Sequence, residues 1–186
     1  MTARLASLPE IDAAVWRELT GAATDKQHPW RTPVLATTDG DIGDARTVVV
    51  REVSADQKII TIYTDQRSAK VAQLGAHPVG TLVMWSPALS WQLRCRVQLT
   101  LETTGLAVSS RWARIKLSPA AQDYLSPLAP GAELPEEPVP SGQDRGALPY
   151  FAVMEAQVLG IDWLELHADG HRRALFSGES ARWIQP

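Results

Sequence analysis

The chain has little cysteine, little phenylalanine and no long hydrophobic run. Its 186 residues include one cysteine, Cys95, which excludes a disulfide within the chain and a cysteine-rich zinc site. No apolar run approaches the roughly 20 residues that cross a bilayer. Near the N-terminus, Pro9, Glu10 and Asp12 interrupt what would be the apolar segment of a signal peptide. We therefore expect a cytoplasmic protein.

Excess charge is also absent. The net charge is −3 and the isoelectric point is near 5.8, which argues against a nucleic-acid protein held by backbone phosphates. Hydrophobic content of 45% and charged content of 21% are typical of a globular protein. We predict one domain over residues 1–186, with an N-terminal helix and connector (1–32), a proline-rich loop (126–150) and C-terminal strands (151–186). Seven tryptophans against two phenylalanines are explained mostly by packing.

Hydrophobic periodicity predicts a β-rich protein. Short connections between the predicted strands favour antiparallel pairing, and several such strands in a row suggest a barrel or a sandwich. The predicted strands are Val34–Thr37, Ala45–Val53, Lys58–Thr64, Val79–Trp85, Leu89–Leu101, Phe151–His167 and Arg172–Phe176.

Three helices are predicted around these strands. Ser7 and Glu10 form a capping box, so a first helix begins there, and Gly21 is expected to end it. A second helix is expected over Gln66–Leu74 and a third over Ser109–Leu117.

The densest group of functional residue types lies between Arg46 and Lys70. Arg67, Ser68 and Lys70 fall within the first turn of the second predicted helix, whose N-terminus offers free N–H groups and a positive dipole end. Arg46, on a neighbouring strand, could complete a phosphate site. The simpler alternative is a solvated, capped helix with surface charges. Asp65 opposes the phosphate interpretation, because it brings a negative charge to the same turn.

The two arginines of the preceding strand need a distortion to act together. Arg46 and Arg51 are five residues apart, so a straight strand directs them to opposite faces. A bulge or strong twist would let both serve one ligand; otherwise one faces a different subunit.

These residues, in this order, resemble the pyridoxamine 5′-phosphate oxidase family of FMN-binding split barrels. The resemblance implies an antiparallel, six- to seven-stranded split β-barrel with peripheral helices, in a homodimer with two FMN sites between subunits. The motifs that carry it are Arg46-Thr47-Val48-Val49-Val50-Arg51, Tyr63-Thr64, Ser68-Ala69-Lys70, Gln92, Asp162-Trp163, His171-Arg172-Arg173 and Trp183.

The resemblance also implies roles for individual residues. Arg46, Ser68 and Lys70 would hold the FMN phosphate, and Gln92 would hydrogen-bond the flavin. The ribityl chain and one edge of the isoalloxazine would be lined by Thr47, Val48, Val49, Tyr63 and Thr64.

Further implied roles concern the partner subunit and the substrate. Trp163 and Arg173 would reach the flavin from the other subunit, with Arg172 competing for the role of Arg173. Arg51 lies where the family places a basic residue near flavin and substrate. Arg51 and Arg172 are therefore the candidate anchors for an anionic substrate, and no residue is assigned to catalysis.

The chain departs from the true oxidases in ways that bear on its activity. Ala69 stands where they carry an arginine, and Arg67 is the candidate to compensate. The region Arg111–Leu117 does not match their substrate-phosphate set, and His171 precedes Arg172-Arg173 instead of following. FMN binding is thus better supported than oxidation of pyridoxamine 5′-phosphate, and the chain looks closer to the family's uncharacterised relatives.

The expected function is that of an FMN-dependent oxidoreductase acting on a small substrate. Two alternatives remain open: a deazaflavin- or NAD(P)H-dependent flavin reductase of the same fold, and a flavin- or haem-binding module without turnover. No metal site is expected, because a predicted turn separates His167 from His171.

Overall fold

The computed structural model describes residues 4–135 and 150–186. Its helices are α1 (Leu8–Thr24), α2 (Ala69–Ala76), α3 (Leu106–Ile115) and a 3₁₀ helix (Pro119–Tyr124). The strands are β1 (Val34–Thr38), β2 (Gly43–Thr47), β3 (Val50–Ser54), β4 (Ile59–Asp65), β5 (Val79–Ser86), β6 (Trp91–Glu102), β7 (Phe151–Glu165), β8 (Arg172–Ser177) and β9 (Ser180–Ile184). Most of the predicted proline-rich loop, residues 136–149, lies outside the described residues.

The strands form one antiparallel sheet, so the predicted fold class is confirmed. Seven strands follow the order β2-β1-β5-β6-β7-β4-β3, and β8 and β9 extend from β7. Strand β9 is not predicted from the sequence, because nearly all of its residues are exposed and it has no buried apolar alternation.

The predicted strand Ala45–Val53 is in fact two strands. β2 pairs with β1, whereas β3 pairs with β4. Between them, the N–H of Val48 donates to the carbonyl of Pro33 and that of Val50 to the carbonyl of Arg31, both at 2.9 Å. Because β2 and β3 lie at opposite ends of the strand order, this link joins the two edges of the sheet and closes it into a split barrel.

Two apolar clusters hold the fold together. The larger one fills the barrel and is closed by α1 through Ile11, Val15 and Leu19, all fully buried. Burying such a side chain contributes roughly 1.5–3 kcal/mol. The smaller cluster lies on the opposite face of β7, under α3 and the 3₁₀ helix; it consists of Val108, Trp112, Ala121, Tyr124, Leu125, Phe151 and Val153.

The start of α1 is as predicted, and its end is not. The hydroxyl of Ser7 accepts from the N–H of Glu10, whose carboxylate accepts from the N–H of Ser7. The helix continues past Gly21 to Thr24, because the guanidinium of Arg31 donates to two carbonyl oxygens of its last turn, at 3.0 and 2.5 Å.

The start of α2 is later than predicted, and this positions the candidate site. The carboxylate of Asp65 accepts from the N–H of Arg67 at 2.8 Å and forms a turn at Gln66. The helix therefore begins at Ala69 with Ser68 as its N-cap. None of the helices in the described part of the chain is long and apolar enough to cross a membrane.

Candidate functional site

A cation and two hydroxyls meet where β4 ends and α2 begins. The Lys70 ammonium donates to the hydroxyls of Thr64 and Ser68, both at 3.0 Å, and those hydroxyls lie 3.3 Å apart. Thr64 and Ser68 are buried. The Ser68 hydroxyl makes no capping bond to its helix, so it faces the ammonium and not the first-turn amides. The predicted Thr64, Ser68 and Lys70 are thus brought together.

Arg46 approaches the same cluster from β2. Its guanidinium donates to the hydroxyl of Thr37 at 2.5 Å and to the side-chain oxygen of Gln73 at 3.2 Å, and it pairs with Asp44. Gln73 lies one turn after Lys70 on α2 and also donates to Asp44 at 3.2 Å. Strand β2 and helix α2 are therefore joined through the side chains that carry the cations.

The charge of Lys70 has no counterion among the described residues. Burial and, secondly, the charge of Arg46 lower the pKa of Lys70, although Asp65 and Asp44 oppose the shift. Lys70 forms no ion pair within the described chain, and its hydrogen-bond partners there are the two hydroxyls. Such a donor set, with cations and hydroxyls beside a helix N-terminus, has the chemistry that a phosphate monoester needs. We refer to Arg46, Thr64, Ser68 and Lys70 as the cation cluster.

The acid that opposes an anion at this turn is already neutralised. Both oxygens of the buried Asp65 carboxylate are held by the Arg67 guanidinium, at 3.0 and 2.7 Å. The same guanidinium donates to the carbonyls of residues 126–128 at 3.0 to 3.2 Å and stacks on the Tyr150 ring at 3.2 Å. Arg67 is therefore directed toward both ends of the 126–150 segment and not into the cation cluster.

Strand β3 carries the distortion that the arginine spacing requires. The register between β3 and β4 shifts between Val50 and Glu52, which marks a bulge at Arg51. The Arg51 guanidinium lies 5.5 Å from the centre of the Tyr63 ring, and its Nε is buried without a hydrogen-bond partner in the described chain. The predicted Arg51 and Tyr63 therefore lie together, on the side of β4 that faces α3.

The remaining residues of the first motif form the link between β2 and β3. Thr47 is exposed, Val48 is buried and Val49 is half-buried. This short segment connects the strand of Arg46 to the strand of Arg51 and leaves part of its backbone at the surface.

Gln92 and Arg173 share the outer face of the sheet. Gln92 on β6 is directly opposite Leu164 on β7, which in turn is opposite Arg173 on β8. The Gln92 amide forms no hydrogen bond with the described residues, whereas Arg173 binds both oxygens of Asp162, at 2.9 and 2.8 Å. The two predicted flavin contacts therefore lie in one cross-strand row.

The outer face carries exposed apolar side chains as well as arginines. Exposed side chains on it include Val34, Trp85 and Leu159, which are 37%, 43% and 51% exposed. A groove of about 590 Å³ lies on the same face beside Arg94 and Arg182. Contiguous apolar patches of a protein surface mark interaction sites, whereas single exposed apolar residues are ordinary.

Trp163 does not fit the role expected from the resemblance. Its side chain is fully buried in the barrel core, 5.3 Å from the Trp91 ring, because Asp162 and Leu164 take the outward positions of β7. A flavin held by a neighbouring subunit cannot reach a side chain so enclosed. The exposed Trp183 on β9 lies 6.3 Å from the Trp163 ring and is the accessible member of the pair.

Arg172 is likewise committed to its own chain. Its guanidinium binds the buried carboxylate of Glu165 at 2.9 Å and donates to the carbonyl of Leu5 at 2.7 Å. Burial alone would raise the pKa of Glu165, but the hydrogen bonds from Arg172 and Arg4 outweigh burial. The pKa is therefore lowered from its ordinary value, and the carboxylate stays ionised. Arg172 and Arg173 are adjacent on a strand and point to opposite faces, which leaves Arg173 as the one that shares a face with Gln92.

Several residues of the site are absent from the sequence motifs. Thr37, Asp44 and Gln73 surround Arg46, and Glu52 connects Tyr63 to Arg111 and Arg114 of α3. Only Gln73 left a signal, since its spacing of three from Lys70 places both on one side of a helix.

Two other candidate chemistries have no geometric support. Within residues 4–135 and 150–186, no three His, Cys, Asp or Glu side chains are grouped to hold a metal. Cys95 is fully buried, and burial raises the pKa of its thiol to about 12, so it is an inert core residue.

The sequence matches a known family over the part that carries the cation cluster. Residues 13–103 match the family described as "Pyridoxamine 5′-phosphate oxidase, FMN-binding domain". The chain matches no curated protein in sequence.

Solved structures share the fold across nearly the whole chain. A pyridoxamine 5′-phosphate oxidase-related, FMN-binding protein from Nostoc punctiforme is 23% identical, with a TM-score of 0.73 over 98% of this chain and 100% of that one. PhzG from Burkholderia lata, solved with tetrahydrophenazine-1-carboxylic acid, is 14% identical with a TM-score of 0.72 over 97% and 94%. A haem-binding protein from Mycobacterium smegmatis is 14% identical with a TM-score of 0.56 over 96% and 60%.

At these identities the solved structures show the fold alone, and the family match supplies the sequence relationship. The resemblance predicted from the motifs is therefore confirmed. Residues 13–103 match the pyridoxamine 5′-phosphate oxidase-like FMN-binding family in sequence, and the described chain has the same fold as the solved structures.

Proposed function

We propose that the protein binds FMN and acts as an FMN-dependent oxidoreductase on a small substrate. The observation that carries this proposal is the half-buried Lys70 ammonium, which has hydroxyl partners and no counterion in the described chain. A buried cation is costly unless an anion accompanies it. The phosphate of FMN supplies that anion.

The phosphate would be held by Arg46, Ser68 and Lys70. The Thr64 hydroxyl would orient the Lys70 ammonium by accepting a hydrogen bond from it. Gln73 and Thr37 position the Arg46 guanidinium by accepting and relaying its hydrogen bonds. Arg67 takes no part in this contact. Its role is to neutralise Asp65 and to hold the turn that presents Ser68.

The flavin ring is proposed to lie against residues from two subunits of a homodimer. The exposed apolar residues of the outer face support a dimer contact there, and Gln92 and Arg173 lie on that face. The link Thr47–Val49 would border the ribityl chain. Arg173 shares the outer face with Gln92 and would reach a neighbouring flavin. Trp183 packs beside Arg172 and Trp163 on the other face of β8 and β9.

Bound FMN would supply the redox chemistry, accepting and returning a hydride equivalent, while the protein supplies binding and orientation. Arg51 is the remaining candidate for a substrate contact, because it forms no ion pair within the described residues, whereas Arg172 is paired with Glu165. Arg172 does not take that role here, because its guanidinium is held in that ion pair.

The proposal is tested by titrating the purified protein with FMN and with riboflavin, and following visible absorbance. A clear preference for FMN supports a phosphate-directed site, and equal binding contradicts it. The flavin-bound protein is then mixed anaerobically with NADPH. Rapid bleaching identifies a flavin reductase, whereas a protein that prefers haem or that undergoes no reduction with any donor is a binding module.

A further inference from the structure

Two arginines of α3 converge on one carboxylate of β3, that of Glu52, the residue after Arg51. Arg111 donates through Nε and Nη2 to Oε2 of Glu52, at 3.0 and 2.8 Å. Arg114 donates to Oε1 at 3.1 Å, and the hydroxyl of Tyr63 donates to the same oxygen at 3.2 Å. One glutamate thus receives four hydrogen bonds from three side chains.

The Glu52 carboxylate is saturated by these contacts. An ionised carboxylate offers about four acceptor positions, and all four are taken. Glu52 is therefore left without a free acceptor position for a hydrogen bond from a ligand. Its position makes it a fixed counterion and not a general base.

Without Glu52, the arginine pair would be an anion site. The other carboxylate near it is Glu155, whose Oε1 lies 4.0 Å from Arg111. Two guanidinium groups on one helical turn form a fork that binds phosphate well. The group is also accessible, since the Arg114 side chain is 68% exposed and that of Glu52 is 31% exposed.

Tyr63 connects this cluster to Arg51, the candidate substrate contact. Its hydroxyl contacts Glu52, and the Arg51 guanidinium lies 5.5 Å from the centre of its ring. The neighbouring Thr64 of the cation cluster points to the opposite face of β4. Burial and the neighbouring Glu52 raise the pKa of Tyr63 to about 12, so its hydroxyl keeps the proton that it donates.

We propose that Glu52 is a specificity-determining residue that occupies the arginine pair and excludes substrates carrying a phosphate group. This inference rests on the proposed function, because it assumes that a substrate approaches beside Arg51 and Tyr63. The substrate class it assigns is that of small molecules without a phosphate group. The arginines hold the protein's own carboxylate in place of a ligand's anion.

The test measures binding of pyridoxamine 5′-phosphate and of pyridoxamine by calorimetry, with the FMN-loaded protein. Wild-type protein is expected to bind the two alike. Glu52→Gln removes the charge and keeps the shape, and it is expected to bind the phosphorylated compound about tenfold more tightly, with no gain for pyridoxamine. Glu52→Ala repeats the test without a side-chain amide beside the arginines.

Glu155→Gln is the matched control, because it removes the other nearby carboxylate and should leave binding unchanged. Repeating the titration in cofactor-free Lys70→Met protein keeps the result independent of FMN. The cation cluster is disabled there, so a gain from Glu52→Gln still reports the arginine pair. A phosphate preference in wild-type protein, or folded Glu52 variants that gain no phosphate binding, would overturn the proposal.

Discussion

Asp65 and Arg67 form a bidentate ion pair directly before the helix that carries Lys70. The Nε and Nη2 of Arg67 donate to the two carboxylate oxygens of Asp65, at 3.0 and 2.7 Å. From sequence, Asp65 counted against an anion at this turn. In the folded chain the charge of Asp65 is neutralised by Arg67. The turn that this pair stabilises positions the Ser68 hydroxyl to accept a hydrogen bond from Lys70. The acid is thus part of the framework of the site.

Replacing Lys70 tests the phosphate contact. Lys70→Met is expected to weaken FMN binding about 10- to 100-fold, because a hydrogen bond to a charged group is worth roughly 1.5–3 kcal/mol. Riboflavin, which lacks the phosphate, should bind the variant and the wild-type protein alike. Lys26→Met is the control, since Lys26 is exposed on the connector after α1. Equal losses for FMN and riboflavin would contradict a phosphate contact.

The same substitution should stabilise the cofactor-free protein. Burial and the charge of Arg46 lower the pKa of Lys70 below its ordinary value of 10.5, so the folded chain binds this proton less tightly than the unfolded chain. The free energy of unfolding therefore rises with pH between the folded pKa and 10.5. Lys70→Met should increase the free energy of unfolding at pH 7 and flatten its rise toward pH 10, in urea unfolding. A loss of stability at pH 7 would argue that Lys70 is structural.

The Asp65–Arg67 pair should contribute strongly to stability. Arg67→Met leaves a buried carboxylate unpaired, at a cost of about 3 kcal/mol, near the lower end for such pairs because the Arg67 side chain remains 21% exposed. The double variant Asp65→Asn/Arg67→Met removes both charges and should recover part of that loss. Additive losses in urea unfolding would show that the two residues act independently.

The shared row of Gln92 and Arg173 predicts a different signature from that of Lys70. Gln92→Leu and Arg173→Met are expected to weaken FMN and riboflavin by similar factors, several-fold each, since both would contact the ring and not the phosphate. Arg172→Met should instead lower stability at neutral pH, by an amount that shrinks as the pH falls below the ordinary Glu165 pKa of 4.5. Its loss returns the Glu165 pKa toward 4.5, so the stability that Glu165 contributes above that value is diminished. A selective FMN defect in Gln92→Leu would contradict the assignment.

The sequence predicted Arg46, Ser68 and Lys70 as a phosphate site because each is marked by a local pattern: Ser68 and Lys70 open a helix, and Arg46 precedes a β-branched run. Thr64 is expected only from the family resemblance, beside the ribityl chain and the isoalloxazine edge. None of these needs knowledge of long-range pairing. The class of fold followed from the same local signals.

What the sequence could not predict depends on register. Whether Trp163 points inward, and whether Arg172 or Arg173 shares a face with Gln92, is decided by how β6, β7 and β8 align. The division of residues 45–53 into two strands depends on their pairing with β1 and β4 at opposite edges of the sheet. The binding of Glu52 by α3 joins residues about 60 positions apart and leaves no local pattern.

The most direct test is the visible absorbance spectrum of the purified protein, followed by chromatography of whatever heat denaturation releases. The account predicts a yellow protein that releases FMN in an amount equal to the protein chain, or a colourless one that takes up added FMN to that amount. A protein that is colourless and binds no added FMN, or that releases haem or a deazaflavin instead, would contradict it.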